Sequence, residues 1–158
     1  MRQVFLDCDG VLADFDAAAE VILGMPPRLF EDTHGSEEFW RLLEASPRFY
    51  ATLPRMRDAD QLVQGCRDLG IMPVILTGCP RGGWAEEQKE HWRDAHYPGY
   101  KMICCLSAQK RVHAQPGDVL IDDWPKYRHL WEEIGGIFIL HTSARESLGE
   151  LQKIFEPD

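Results

Sequence analysis

Two aspartates, Asp7 and Asp9, come one residue apart directly after the apolar run Val4-Phe5-Leu6, and Gly10 follows them. An apolar run of this kind predicts a buried strand that ends where the acidic groups emerge. In the alternating geometry of a strand, the two carboxylates point to the same side. Like charges so close together are tolerated when a cation lies between them or when one group stays protonated. The spacing therefore indicates either an acidic turn or a site for a cation.

Polar side chains also follow the other apolar runs that predict strands. Three such ends occur further along the chain: Thr77-Gly78 after Ile71–Leu76, Lys110 after Met102–Leu106, and Asp122-Asp123 after Val119–Ile121. Because the carboxyl ends of parallel strands meet at one edge of a sheet, we expect these side chains to lie close to Asp7 and Asp9. The predicted site then contains two acid pairs, a hydroxyl group and a cation.

These residue types suit the transfer of a phosphoryl group to a carboxylate. A carboxylate can act as the nucleophile and form an aspartyl-phosphate once the charge of the phosphate is neutralised. Lys110 can supply part of that neutralisation, with Lys101 and Arg111 as competing cations, and Thr77 can donate a hydrogen bond to a phosphate oxygen. A second carboxylate can protonate the leaving alcohol and later activate water. Mg²⁺ prefers oxygen ligands, and the chain offers it Asp7, Asp9, Asp122 and Asp123.

The predicted strands alternate with segments of helical spacing. Helices are predicted over 14–23, 36–45, 58–69, 84–95, 125–134 and 143–155, and a further strand over 137–140. Strands rich in Val, Ile and Leu that alternate with amphipathic helices indicate a parallel sheet covered on both faces. We therefore predict an α/β, Rossmann-like fold in which a five-stranded parallel sheet lies between helices.

One segment interrupts this alternation. Residues 14–55 lie between the first strand and the next core helix, and they are mostly helical in spacing and rich in Pro and aromatic residues. A chain of 158 residues suits one compact domain with room for a small insertion. We expect a small helical cap over 14–55 and a core domain formed by 1–13 and 56–158.

The composition favours a small substrate over a polymer or a membrane. The formal net charge is −9, which argues against a general affinity for nucleic acid or for anionic membranes. The five cysteines have no framework-like spacing, and the first strand begins almost at Met1, so we expect a cytoplasmic protein with reduced thiols. The apolar runs are too short to span a bilayer.

The order of these polar residues resembles the four motifs of the haloacid dehalogenase (HAD) superfamily of phosphatases, and the resemblance covers residues 3 to 123. It implies that Asp7 is the nucleophile and that Asp9 is the general acid and base, with the backbone carbonyl of Asp9 also offered to Mg²⁺. It implies in addition a phosphate-binding set and a metal-binding set of side chains. The phosphate-binding set is Thr77, Gly78 and Lys110, and the metal-binding set is Asp7, Asp122 and Asp123.

A narrower resemblance is to the 5′(3′)-deoxyribonucleotidase branch, the cytosolic type C 5′-nucleotidases. The run from Asp7 to Phe15, Asp-x-Asp-Gly-Val-Leu-Ala-Asp-Phe, is similar to the first motif of that branch. The cap of that branch is inserted where 14–55 lies here. The chain departs from the branch at Gly78, where a Ser is common, and in its short C-terminus.

Aromatic residues of the predicted cap supply candidates for a substrate pocket. The narrower resemblance implies that Phe15 lines a nucleobase pocket, and Phe49 and Tyr50 follow in an aromatic linker. Arg81 lies in a Gly-rich loop just after the second strand, where it is placed to reach a substrate. Selectivity is therefore expected to come from the cap and from this loop.

Together these features predict a Mg²⁺-dependent phosphomonoesterase that works through an aspartyl-phosphate intermediate. The cap favours a small phosphorylated substrate, and the narrower resemblance implies a (deoxy)nucleoside monophosphate. Two alternatives stay open: a phosphatase for sugar phosphates or another small phosphometabolite, and a non-catalytic module that binds phosphate. The presence of both Asp7 and Asp9 speaks against a binding module, because such a module needs no proton carrier. The acidic charge argues against a nucleic-acid end as the substrate.

Overall fold

The structure, a computed structural model, describes residues 2–156. The strands are β1 (Val4–Leu6), β2 (Val74–Gly78), β3 (Met102–Cys105), β4 (Val119–Asp122) and β5 (Ile137–Leu140). The helices are α1 (Phe15–Leu23), α2 (Pro27–His34), α3 (Ser36–Ala45), α4 (Ala59–Asp68), α5 (Glu86–His96), α6 (Arg128–Glu133) and α7 (Ala144–Phe155). Short 3₁₀ segments cover Tyr50–Thr52, Ser107–His113 and Pro125–Tyr127. No helix in this part of the chain is both long and apolar enough to cross a membrane.

The strands form one parallel sheet in the order β3-β2-β1-β4-β5. β1 is central, and all of its residues are buried, which explains why Val4-Phe5-Leu6 is apolar without alternation. Leu6 pairs with Ile75 of β2 and with Ile121 of β4. The predicted α/β, Rossmann-like sheet is thereby confirmed, and the residues that follow β1, β2 and β4 meet at one edge of it.

The two faces of the sheet carry cores of different size. The larger core contains α4, α5 and α7, whose buried side chains include Leu62, Trp92 and Leu151. The smaller core is built around Trp131 of α6, whose ring lies edge-on to Phe5 at 5.7 Å between centroids. Because each face is covered by helices or 3₁₀ segments, the strands remain apolar on both sides, as the sequence indicates.

The segment between β1 and α4 contains three helices, one more than the sequence predicts. Asp14 caps α1 by accepting a hydrogen bond from the Ala17 amide at 3.2 Å. The additional helix, α2, begins at Pro27, where a missing N–H costs nothing because the first helical amides have no partner within the helix. Pairs of Pro residues usually mark a loop, which is why the sequence did not predict α2. The boundaries of a cap over 14–55 stay a prediction.

Two other predicted elements differ in detail. The helix predicted over 125–134 is divided into the 3₁₀ segment Pro125–Tyr127 and the shorter α6. The strand predicted over Met102–Leu106 ends at Cys105, and the 3₁₀ segment Ser107–His113 after it carries Lys110. Since this segment follows β3 directly, it directs Lys110 back towards the centre of the sheet edge.

Candidate functional site

Three carboxylates meet at the carboxyl edge of the sheet. Asp7, Asp122 and Asp123 each offer one ligand atom, and these atoms lie within 4.8 Å of one another. Neighbouring strands position these carboxylates. The Asp7 amide donates to the carbonyl of Ile121 at 2.9 Å, and Ile121 directly precedes Asp122 and Asp123 at the end of β4. The Trp124 amide donates to Oδ1 of Asp122 at 3.0 Å and fixes that side chain. The strand ends thus bring together three of the four carboxylates that the sequence offers to a cation, and the side chain of the fourth, Asp9, is not among them.

Lys110 lies against this cluster. Its Nζ donates to Oδ1 of Asp7 at 2.9 Å and to Oδ2 of Asp122 at 3.0 Å, and the side chain is buried. Burial opposes its charge, but the two carboxylates outweigh burial and raise the pKa of Lys110. Of the competing cations, Arg111 pairs with Glu133 at 3.0 Å and Lys101 is exposed. Lys110 is therefore the cation that reaches the cluster.

Asp122 and Asp123, at the end of β4, together with Asp7 carry more negative charge than Lys110 balances. Burial, together with the charge of Asp7, raises the pKa of Asp122 and of Asp123 well above the usual range for aspartate. A raised pKa shows that burial and neighbouring negative charge make the ionised form of each group less favourable than it is in water. A divalent cation, whose preferred ligands are carboxylate oxygens, would favour the ionised form.

Asp9 lies in a different environment from Asp7. Its Oδ2 accepts a hydrogen bond from Nζ of Lys89 at 2.9 Å, whereas its Oδ1 is buried and has no hydrogen-bond partner among residues 2–156. Burial raises the pKa of Asp9, and the charge of Asp7 acts in the same direction, while Lys89 lowers it. The Asp9 side chain is outside the three-carboxylate cluster. One oxygen of Asp9 is thus fixed by Lys89, whereas the other makes no hydrogen bond to the described residues.

Lys89, on α5, is a site residue that the sequence analysis did not identify. Its buried Nζ donates to Oδ2 of Asp9, to Oγ1 of Thr77 at 2.7 Å and to the Gly78 carbonyl at 2.9 Å. Burial opposes the charge of Lys89, but its neighbours, Asp9 foremost among them, together outweigh burial and raise the pKa of Lys89 well above the ordinary value. This lysine therefore joins the first and second strand ends.

The sequence does contain a signal for Lys89. Helical spacing places it on the face of α5 that contains Ala85 and Trp92, and both of these residues are buried. A lysine on the buried face of a helix needs an acidic partner, since lysine is almost never fully buried unless it is paired. The identity of that partner depends on how α5 packs against β1, which the sequence does not specify.

Thr77 and Gly78 end β2 beside these lysines. The Thr77 hydroxyl is buried and accepts from Lys89, and Thr77 does not line the cavity that opens over the carboxylates, so its contact with phosphate stays a prediction. A β-carbon on Gly78 would collide with Oγ of Ser107. Glycine at this position therefore allows the 3₁₀ segment that carries Lys110 to approach β2 this closely. This contact is a packing reason for Gly78 at the position where a Ser is common in the nucleotidase branch.

A cavity of about 660 Å³ opens over the carboxylates. Its wall includes Asp7, Asp9, Gly78, Lys110, Asp122 and Asp123, together with Phe15, Asp16, Trp40, Tyr50, Arg81, Trp124 and Tyr127. Three of the predicted pocket residues, Phe15, Tyr50 and Arg81, thus reach the cavity. Phe49 does not line it; the ring is buried and lies edge-on to Phe15 at 5.4 Å, where it supports the wall from behind.

Several solved structures share this fold. No protein-family model matches the chain, and no curated protein matches it. A hydrolase from Streptococcus pneumoniae TIGR4 aligns with a TM-score of 0.56 and 13% identity over 98% of both chains. A dehalogenase aligns with a TM-score of 0.56 and 14% identity over 98% of this chain and 96% of its own. A HAD phosphatase from Thermococcus onnurineus aligns with a TM-score of 0.53 and 15% identity over 100% of this chain and 99% of its own.

The chain has the fold of HAD hydrolases. The HAD phosphatase from Thermococcus onnurineus covers nearly the whole chain, including the segment between β1 and α4. This likeness agrees with the broad resemblance that the order of motifs indicates. The resemblance to the 5′(3′)-deoxyribonucleotidase branch stays a prediction.

We expect the Lys89→Met variant to lose turnover by about 10²-fold on substrates with poor leaving groups, because Asp9 loses its fixed orientation. Lys89 lowers the pKa of Asp9, so its removal raises that pKa further. Asp9 then stays protonated to higher pH, and the step that needs it as a base moves to higher pH. Steady-state rates across a pH series check this, with Lys101→Met, an exposed lysine, as the control. An unchanged pH–rate profile in Lys89→Met would show that Lys89 does not position Asp9.

Gly10→Ala should destabilise the fold and weaken metal binding together. Gly10 has φ +83°, and a β-carbon there would collide with the Asp123 carboxylate. We expect a loss of about 1–3 kcal/mol in the free energy of unfolding, measured with urea. Gly24→Ala is the matched control, since Gly24 has φ +78° and open space around it. Equal effects of both substitutions on metal affinity would show that contact with Asp123 is unimportant.

Proposed function

We propose that the protein is a Mg²⁺-dependent phosphomonoesterase that passes the phosphoryl group through Asp7. The observation that carries the proposal is the unequal environment of two neighbouring carboxylates. Asp7 contacts Lys110 and lies among metal-type ligands, whereas one buried oxygen of Asp9 has no hydrogen-bond partner in the described part of the chain. Two carboxylates whose surroundings differ in this way suit two different tasks, nucleophile and proton carrier.

Asp7, Asp122 and Asp123 fit a divalent cation. Their ligand atoms are within 4.8 Å of one another, and burial and like charge, which raise the pKa of Asp122 and of Asp123, would be offset by a cation between them. When bound there, Mg²⁺ neutralises charge on the phosphate and on the carboxylate that approaches it. The remaining chemistry belongs to side chains of the chain.

In the first step, a carboxylate oxygen of Asp7 attacks phosphorus, and the bond between phosphorus and the leaving oxygen breaks. Asp9 donates a proton from its free oxygen to the leaving alcohol. Lys110 contacts Asp7 directly and opposes the repulsion between the carboxylate and the incoming phosphate. The products are an acyl phosphate on Asp7 and the free alcohol.

In the second step, Asp9, now a carboxylate, removes a proton from water, and the water oxygen attacks phosphorus. The bond between phosphorus and Asp7 breaks, so inorganic phosphate leaves and Asp7 is restored. In this proposal, the phosphoryl group lies beside Gly78, which lines the cavity, and Thr77 accepts a hydrogen bond from Lys89 behind it. Lys89 holds Asp9 in position in both steps.

We propose a (deoxy)nucleoside monophosphate as the substrate. Aromatic side chains favour a planar group, and Phe15, Trp40 and Tyr50 line one wall of the cavity. Arg81 lines the cavity next to the second strand end, where it can contact the substrate. In this proposal, the segment 14–55 is a cap that supplies the selective wall, and the core supplies the chemistry.

The test measures phosphate release from an aryl phosphate and from a panel of nucleoside monophosphates and sugar phosphates. We expect activity that disappears with a chelator and returns with Mg²⁺, and a preference for nucleotides in kcat/KM. A flat or sugar-biased profile would remove the nucleotide assignment alone. Full activity in the chelator would contradict the metal-dependent mechanism.

A further inference from the structure

We propose that Tyr50 is a positioning residue for the proton carrier. The face of its ring holds the ammonium group of Lys89 against Asp9, so that the wall of the substrate cavity and the catalytic acid depend on one side chain. This inference rests on the proposed function, because it concerns the acid of that reaction. It gives Tyr50 a task in addition to lining the cavity.

The surroundings of Lys89 show why a ring is needed. An ammonium group has three hydrogens, and three acceptors take them: Oδ2 of Asp9, Oγ1 of Thr77 and the carbonyl of Gly78. The ring of Tyr50 covers Nζ of Lys89 with 4.5 Å between nitrogen and centroid. Lys89 is 2% exposed, so the electron-rich ring face occupies a side of the charge that water does not reach.

Tyr50 is itself held in place by α5. Its amide donates to Oε1 of Gln88 at 2.9 Å, and Nε2 of Gln88 donates to the Trp84 carbonyl at 3.3 Å. The ring lies 5.1 Å from Phe49 and 5.3 Å from Trp84, measured between centroids. These contacts prevent the ring from turning away, so the position of Lys89 follows the position of Tyr50.

The same ring forms part of the cavity wall next to Phe15. Loss of the ring face would leave one side of Lys89 uncovered and let its ammonium group shift away from Asp9. The free oxygen of Asp9 would then no longer be aimed at the leaving group. The expected defect is in proton transfer, and it is larger for leaving groups that need a proton more.

The activity test compares Tyr50→Phe with Tyr50→Leu on an alkyl phosphate and on a nitrophenyl phosphate, which needs little protonation to leave. We expect Tyr50→Phe, which keeps the ring over Lys89, to show the same ratio of kcat on the two substrates as the wild-type protein. We expect Tyr50→Leu to lose kcat by about tenfold on the alkyl phosphate and much less on the nitrophenyl phosphate. Equal losses on both substrates, or an effect confined to KM, would overturn the inference.

A series of ring-fluorinated phenylalanines at position 50 keeps the shape of the side chain and so avoids a folding defect. Fluorine withdraws electrons from the ring face, so kcat on the alkyl phosphate should fall stepwise with the number of fluorines. Identical rates across the series would overturn the inference even if Tyr50→Leu does not fold. If the wild-type protein releases no phosphate from any substrate, the proposed function has failed instead.

A second readout requires no activity. In the metal-free protein, the NMR signals of the Lys89 side-chain methylene protons nearest Nζ should be shifted upfield by the ring current of Tyr50. The shift should persist in Tyr50→Phe and disappear in Tyr50→Leu. Unshifted signals in the wild-type protein would show that the ring does not cover Lys89 in solution.

Discussion

Asp7→Asn is expected to reduce phosphate release by at least about 10⁴-fold, because the side-chain amide is a poor nucleophile and no acyl phosphate can form. The fold should remain, since Asn has the size of Asp and β1 is held by its apolar side chains. The measurement is single-turnover phosphate release at saturating Mg²⁺, with circular dichroism as the check on folding.

Asp32→Asn serves as the matched control for this variant. Asp32 lies on α2 and is exposed, so the same chemical change there should leave activity and stability unaltered. Retention of most activity by Asp7→Asn would show that phosphoryl transfer does not use this carboxylate. Weak metal binding alone would be corrected by a higher Mg²⁺ concentration, whereas loss of the nucleophile would not.

Asp9→Asn is expected to lower turnover by about 10²–10⁴-fold, with the larger loss on poor leaving groups. An amide at this position keeps a hydrogen-bond acceptor for Lys89 but cannot carry the proton. Burial and the charge of Asp7 raise the pKa of Asp9, so in the wild type its acid form persists to higher pH than for an ordinary aspartate. Rates on an alkyl phosphate should therefore fall as pH rises through that raised pKa.

The pH limb assigned to Asp9 should be absent from the Asp9→Asn variant. A series of phosphate esters with leaving groups of graded acidity measures the effect, and the dependence on leaving-group acidity should become steeper in the variant. A uniform loss across the series would indicate that Asp9 acts in binding or in folding, and not as the acid.

The sheet and its carboxyl edge could be predicted because their physical signals are local. β1 is buried on both faces, so it appears in the sequence as an unbroken apolar run, and Asp7 marks its end. Once the strands are parallel, the edge at which Thr77 and Asp122 appear follows from topology. Lys110 could be identified because its place in the order of motifs resembles a known family.

The rest depends on tertiary packing that a single sequence does not specify. Lys89 could be placed on a helix, but its contact with Asp9 requires knowledge of how α5 packs against β1. Phe49 and Tyr50 are adjacent aromatic residues, and the sequence does not distinguish which of them lines the cavity. The 3₁₀ segment turns Tyr50 to the cavity and leaves Phe49 behind Phe15. Likewise, α2 begins at a Pro that would ordinarily indicate a loop.

The central claim is that phosphate is held covalently on Asp7 during turnover. The most direct test is to mix the enzyme with substrate and Mg²⁺, quench with acid within the first turnover, and analyse peptides by mass spectrometry. We expect the peptide containing Asp7 to gain the mass of one phosphoryl group, fragmentation to place that group on Asp7, and the Asp7→Asn variant to show no gain. A burst of product without a phosphorylated peptide, or phosphate on any other residue, would contradict the central claim.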